Sequence, residues 1–367
     1  MEGREKTVRV TRSSMPPFEE YTEMIKVLWD SHWLTNMGDL HNRLEESLKG
    51  YLKVPRLSLF VNGHIALEAA LGAFGQTGEV ITTPFTFAST AHAVVRSGSV
   101  PVFCDIRPDD YTMDPDKLEA LITPRTWAVV PVHVYGNLCQ VERIEEIARA
   151  HGLKVIYDAA HAFGETLDGK GVASFGDASM FSFHATKVFN TIEGGAVAYK
   201  DPALSHRIEG LKNFGIMDEE NVVLVGGNGK MNEFQAAMGL CNLRHVEQEI
   251  GKREKIAARY RTRLSEAEGI HLCPEADNVK HNYAYMPVVF RGFKKDREQV
   301  FRELTEQDIH PRKYFYPCVN AYQCYQGQYD PEETPIARQI SMEVLTLPMY
   351  ADLPLETVDE ICDIILR

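Results

Sequence analysis

The sequence predicts a large α/β domain built on a mainly parallel sheet, followed by a smaller α+β domain. Three observations carry this. Seven short apolar runs alternate with helical patterns between about residues 40 and 200. The runs are nearly continuous in apolar residues, as strands covered on both faces are. Beyond residue 232 the alternation gives way to a strongly helical stretch.

Taken in order, the strand-like runs are "LSLFV" (57–61), "EVITT" (79–83), "VPVFCDI" (100–106), "WAVVPVHV" (127–134), "KVIYDAA" (154–160), "ASMFSF" (178–183) and "AVAYK" (196–200). Between them lie helical patterns such as "IALEAALGAF" (65–74) and "QVERIEEIARAHG" (140–152), the second closing on Gly152, the residue that best adopts a left-handed C-cap. Strand–helix alternation of this kind implies parallel pairing with helical crossovers. Residues 232–269 read as one long helix that leads into the second domain, which ends with "TVDEICDIILR". The expected division is residues 1–245 for the N-terminal segment and large domain, and 246–367 for the small one. No internal repeat or low-complexity segment interrupts it.

Composition narrows the classes of function. The 367 residues are 44% hydrophobic and 25% charged, ordinary for a globular protein. Lys plus Arg total 39 against 52 for Asp plus Glu, a formal net charge of −13, which repels nucleic acids and anionic membranes. The 7 cysteines are odd in number and form no C-x-x-C pair, a usage suited to reduced thiols in a cytoplasm. The N-terminus, "MEGREKTVRVTRSSMPP", has no apolar core of a secretory signal, and no run approaches the ~20 apolar residues that span a bilayer. The 13 histidines are scattered without the spacing of a metal site, so no metal is expected. No G-x-G-x-x-G follows an early strand, which argues against a nicotinamide-dependent oxidoreductase.

Open α/β sheets bind ligands beyond the carboxyl ends of their strands. Those ends carry Asn62-Gly63-His64, Pro84-Phe85-Thr86-Phe87, His133, Asp158 through His161, and Ser182 through Lys187. Asp158 reads either as a helix N-cap or as the partner of a cationic ligand group, since a buried carboxylate needs one or the other. Lys187 reads either as a solvated loop lysine or as an amine that condenses with an aldehyde, which partial burial favours by lowering its pKa. The two together, 29 residues apart and one crossover removed, are the pairing that pyridoxal phosphate (PLP) enzymes use for the aldehyde and the ring nitrogen. "VNGHIALEAAL" offers free N–H groups at a helix start for a phosphate, and Ser182 a hydroxyl. Phe87 offers a face for a flat ring or a place in the core; His161 offers a hydrogen bond to a ring oxygen or is a satisfied buried histidine.

"VIYDAAHAFG" followed by "FSFHATKVFNTIEGG" resembles the DegT/StrS-type PLP-dependent nucleotide-sugar aminotransferases, of PLP fold type I (aspartate-aminotransferase-like). The resemblance extends through "SHWLTNMG" (31–38), "PFTFASTAHAV" (84–94), "PVHVYG" (131–136), "GGNGKMNEFQAAMG" (226–239) and "VLTLPMY" (344–350). It implies that Lys187 forms the Schiff base and shuttles the proton, that Asp158 holds the pyridinium nitrogen, that Phe87 stacks on the ring and that His161 faces the phenolic oxygen. It assigns the phosphate to the backbone of Gly63 and His64, to Ser182, and to Asn228 from a second subunit of a homodimer with shared sites. Many members carry Gln at the position of His161, and Thr or Ser at that of His64. Substrate contacts are expected at Asn36, His133, Lys230, Arg312 and Tyr314. Members that aminate C4 resemble this chain in reading "SFHATK" with "EGG" behind it, so the implied reaction converts dTDP-4-keto-6-deoxy-D-glucose to its 4-amino-4,6-dideoxy product with L-glutamate as donor. The alternatives are C3 amination, a UDP-linked sugar, or a PLP-binding regulator or dehydratase; a sugar 3-dehydratase of this fold carries His in place of Lys187.

Overall fold

A computed structural model describes residues 7–367. The first six residues, part of the polar N-terminus just noted, lie outside the described residues. The strands that frame the molecule are β1 (Val8–Arg9), β2 (Leu57–Phe60), β3 (Glu79–Thr82), β4 (Val100–Phe103), β5 (Thr126–Val130), β6 (Lys154–Asp158), β7 (Ala178–Ser182), β8 (Gly195–Tyr199), β9 (Ile270–Leu272), β10 (Met286–Phe290), β11 (Ile309–His310) and β12 (Val344–Leu347).

All seven apolar runs are strands of one sheet, ordered β2-β8-β7-β6-β5-β3-β4. The five from β7 to β4 are parallel to their neighbours, whereas β8 runs antiparallel to both β7 and β2. The continuous apolar pattern follows from cover on both faces. Ile81, Val129, Val155, Tyr157 and Phe181 enter a core with Leu40, Leu44 and Ile144. Their neighbours Val80, Ala128, Val130, Ile156 and Met180 enter the opposite core with Ala66, Ala70 and Ile208. Burying each such aliphatic side chain contributes roughly 1.5–3 kcal/mol, so a one-residue slip of any central strand is strongly disfavoured.

The helices that matter to the site are α1 (Gly63–Ala73), α2 (Ala88–Arg96), α3 (Val141–His151), α4 (Glu233–Leu243), α5 (Val246–Leu264) and α6 (Pro335–Glu343). Gly152 ends α3 in the left-handed region, at φ 69°. The stretch expected as one helix over 232–269 is two, α4 and α5, broken at Arg244–His245. Both residues at the break turn their side chains to Glu20, at 2.8 and 2.7 Å, an anchor that no local periodicity encodes.

A second, antiparallel sheet, β9-β10-β12, packs with α5 and the C-terminal helix Leu355–Leu366 around Ile256, Tyr260, Val288, Leu345 and Ile361. The first described strand belongs here: β1 pairs with β11, and Met349 N–H donates to the Val10 carbonyl at 2.9 Å. Two residues of strand leave too little pattern to assign such a partner from sequence.

The two sheets are tied through Asp105, just past β4. Its buried carboxylate accepts from Ile336 N–H (3.1 Å) and Ala337 N–H (2.8 Å) in the first turn of α6, and from Lys117 Nζ at 2.9 Å. Asp105→Ala strands two N–H groups and should cost about 2–4 kcal/mol in chemical denaturation. A change below ~0.5 kcal/mol would show that the tie contributes nothing.

Candidate active site

The site lies at the carboxyl edge of the large sheet, where β2, β6 and β7 end. Asn62 caps α1 by accepting from Ile65 N–H at 2.9 Å, so the N–H groups of Gly63 and His64 stand in the first turn with no carbonyl behind them. A Cβ on Gly63 would lie 2.8 Å from Ser182 Cβ and 3.1 Å from its Oγ, and one on Gly195 would lie 2.7 Å from Gly63 Cα. Glycine at 63 and 195 therefore lets the helix start press onto the end of β7, leaving two free N–H groups and a hydroxyl facing one spot. The His64 side chain turns away, to Ser89 Oγ and Glu68 at 2.9 Å each. That leaves only its backbone N–H at the helix start.

Asp158 ends β6 and is 4% exposed. Thr90 Oγ1 donates to its Oδ2 at 2.7 Å and Ala160 N–H to its Oδ1 at 3.1 Å, but no Lys, Arg or His bonds to it among the described residues. Burial raises its pKa, against the lowering by those two donors and by the nearby Lys187 charge. A buried carboxylate without a counter-ion fits a cationic ring nitrogen. Burial acts the other way on Lys187, bringing its amine down to about 8, with Asp158 and then Tyr314 opposing. The amine is thus partly neutral near physiological pH, as a nucleophile and proton carrier must be.

Around these two stands an aromatic wall. His161 accepts from Tyr135 N–H at Nδ1 (2.9 Å), which assigns the ring proton to Nε2 as a free donor. Burial holds its pKa well down, and the Lys187 charge adds to this, so the imidazole is neutral. Phe85 is buried against Tyr111, Tyr135 and Phe315, whereas Phe87, two residues on, is 58% exposed at the start of α2. An exposed ring beside a buried charge suits a planar group laid over it. Tyr285, absent from the sequence expectations, meets Lys187 Nζ at 3.5 Å through its hydroxyl. No motif marks it: "HNYAY" lies 98 residues from Lys187 along the chain.

Not every expected residue joins the cluster. Tyr314 does, edge-on to Tyr285 at 6.2 Å, and its carbonyl accepts from the Tyr135 hydroxyl. His133 does not. It is 0% exposed, stacks on Tyr157 at 4.7 Å and accepts from Cys139 N–H at Nδ1, so it is a core residue rather than a substrate contact. Its place in a strand-end motif gave no sign that the side chain turns into the core. Asn36 sits on an exposed turn at φ 61°, Arg312 is exposed with its guanidinium 5.2 Å from the Tyr314 ring, and Lys230 bonds Asn213 at 2.9 Å. Asn228 is exposed, next to Gly229, whose carbonyl accepts from Val61 N–H at 2.7 Å beside the cup.

The unpaired carboxylate, the depressed lysine, the free helix N–H groups and the open Phe87 face all fit PLP. Three comparisons point the same way. The model of the DegT/DnrJ/EryC1/StrS aminotransferase family matches residues 18–366. The chain is 42% identical over 358 residues to a dTDP-4-amino-4,6-dideoxy-D-glucose transaminase of Shigella dysenteriae (97% of this chain, 98% of that one), and 43% identical over 368 residues to a protein of the same name from Escherichia coli (99% of each). Among solved structures, DesI in the presence of its TDP-sugar product aligns with a TM-score of 0.93 at 35% identity, over 99% of this chain and 93% of that one.

The Asp158 carboxyl yields a prediction with a definite sign. Its folded pKa is raised above the unfolded value, so the native state binds the extra proton. The apoprotein therefore loses stability as pH rises through the unfolded and then the folded pKa, and the penalty is complete above both. Asp158→Asn should remove that loss, leaving the apoprotein more stable than wild type at pH 8 by about 1 kcal/mol or more, while turnover of the loaded enzyme collapses. Equal or lower apoprotein stability in thermal melts would mean that the carboxylate is a structural cap.

Proposed function

The chain belongs to the DegT/DnrJ/EryC1/StrS aminotransferase family and is a PLP-dependent transaminase, and from that premise we propose that it aminates C4 of a dTDP-linked 4-keto-6-deoxyglucose. The donor is L-glutamate, released as 2-oxoglutarate, and the product is the 4-amino-4,6-dideoxy sugar. The observation that carries this reading is the full-length identity to two transaminases of that name, in a chain that keeps Ser182–Lys187 and Glu193–Gly195 around the lysine.

Each residue of the site then has work to do. Bound PLP supplies the electron sink that makes the donor's Cα–H bond labile. Asp158 keeps the ring nitrogen protonated by facing it with an unpaired charge. Gly63, His64 and Ser182 would hold the phosphate on two N–H groups and a hydroxyl, and Phe87 would cover one face of the ring. His161 Nε2–H would donate to the phenolic oxygen. Lys187 Nζ takes the proton from one carbon and returns it to the next, which its depressed pKa permits in both directions. Tyr314, edge-on to Tyr285, and the exposed Arg312 guanidinium 5.2 Å from its ring are the candidate contacts for the sugar nucleotide.

The working unit is a homodimer acting in the cytoplasm, with Asn228 and Lys230 completing the partner's site. Support comes from large exposed apolar side chains on segments flanking the cup: Trp29 is 64% exposed, Trp33 57% and Val225 99%. A monomer rarely leaves such a surface bare.

Two outcomes are expected. Incubation with dTDP-4-keto-6-deoxyglucose and glutamate should yield one amino sugar with nitrogen on C4 by NMR; nitrogen on C3, or no turnover of any 4-keto sugar nucleotide, would overturn the substrate assignment. Mixing Lys187→Ala with Asn228→Ala should restore up to about a quarter of wild-type activity, because half the dimers are mixed and carry one intact site of two. No recovery after subunit exchange verified by mass spectrometry would place Asn228 outside the partner's site.

A further inference from the structure

The residue that touches the catalytic lysine comes from the smaller unit, and a buried polar staple holds it there. Tyr285 directly precedes β10. Its hydroxyl accepts from Lys187 Nζ at 3.5 Å, and its ring lies 4.6 Å from His161. Three residues earlier, Asn282 N–H donates to Glu165 Oε1 at 3.1 Å. The Asn282 amide donates to the carbonyls of His161 (2.8 Å) and Phe163 (3.0 Å), and its own oxygen accepts from Ala284 N–H at 2.9 Å. Glu165 and Asn282 are 2% and 1% exposed. The loop that follows Asp158 is thereby clamped to the segment that carries Tyr285.

The third member of the staple is Gly136. At φ +96° it has a backbone that side-chain-bearing residues rarely adopt, and a Cβ there would stand 2.7 Å from Glu165 Oε1 and 3.3 Å from Asn282 Oδ1. The other carboxyl oxygen, Glu165 Oε2, has no partner, and the residue lines a cavity of about 40 Å³ together with Gly136, Tyr285, Arg261, Glu275 and His281. That is room for water beside the wall. Burial raises the Glu165 carboxyl well above the usual range, against the lowering by the Asn282 N–H it accepts from. The energy of this network goes into the position of one segment, and the segment ends on the tyrosine at the lysine.

Resting on the transaminase reading, we propose that Tyr285 is a further catalytic residue: its hydroxyl oxygen accepts a hydrogen bond from the Lys187 amine whenever that amine is free, directing the nitrogen lone pair at the carbon it must deprotonate, and the Glu165–Asn282 staple is the positioning device. Tyr285 neither gains nor loses a proton. Lys187 Nζ alone carries one from carbon to carbon, and tethering one N–H limits the rotation that would otherwise spread the lone pair over unproductive directions.

Tyr285→Phe keeps the ring beside His161 and removes one oxygen. It should lower kcat about 10- to 100-fold, the scale of a positioned proton-transfer partner, with KM for the sugar nucleotide within about twofold. A second readout needs neither cofactor nor substrate. In the apoenzyme, acetylation of Lys187 followed by mass spectrometry across pH should have its midpoint near pH 8 in wild type. Losing an acceptor for the charged ammonium should move it lower by about 0.4 pH unit or more. Glu165→Leu should shift both readouts in the same direction, and Glu165→Gln, which keeps an acceptor oxygen, should recover most of that loss. A Tyr285→Phe enzyme with kcat within twofold of wild type, or with an unmoved acetylation midpoint, overturns the proposal. A shifted midpoint in an enzyme that turns over no keto-sugar nucleotide would uphold the contact and sink the substrate assignment instead.

Discussion

Everything in this molecule that bears on chemistry depends on holding one carboxylate, Asp158, buried and without a protein counter-ion. A carboxylate in that state would ordinarily protonate or draw in a lysine. Here it is kept by its position at the end of a central strand, with Thr90 and the Ala160 N–H as its donors. The same burial lowers Lys187, so one apolar setting produces both of the perturbations that the site needs. The sheet supplies that setting, because only a strand covered on both faces ends in a place dry enough.

The rest of the large unit can be understood as serving that edge. Parallel strands deliver their carboxyl ends to one side of the sheet, and the helix that follows β2 begins there with unpaired N–H groups. The close approach of Gly63, Ser182 and Gly195 presses that helix start onto the ends of β7 and β8. The smaller unit is attached by buried hydrogen bonds on both flanks of the site: Asp105 to the first turn of α6, and Glu165 to Asn282. Neither is an exposed ion pair, which would contribute little and weaken with salt. Buried, fully directional bonds fix an angle as well as a distance.

How much of this was legible in the sequence follows from which interactions are local. The seven sheet strands could be read because two-sided burial imposes a continuous apolar pattern. The Asp158–Lys187 pairing could be read because sheet topology places strand ends together whatever lies between them. The break between α4 and α5 could not, since the anchor is Glu20, 224 and 225 residues away along the chain. Nor could the burial of His133, whose neighbours in sequence sit at the site while its ring packs on Tyr157. Tyr285 was invisible for a related reason: its place depends on Glu165, Asn282 and Gly136, three residues from three segments, none of which forms a motif.

Glu165 is a second buried carboxyl at this edge, and burial raises its pKa as it does that of Asp158. The Glu165 carboxyl accepts from one N–H, and burial raises its pKa well above the usual range. A glutamine in its place would keep an acceptor oxygen for the Asn282 N–H, whereas the second carboxyl oxygen, Oε2, has no partner. The two buried carboxyls are held by different donors: Asp158 by Thr90 and the Ala160 N–H at the strand end, Glu165 by the N–H of Asn282, three residues before Tyr285.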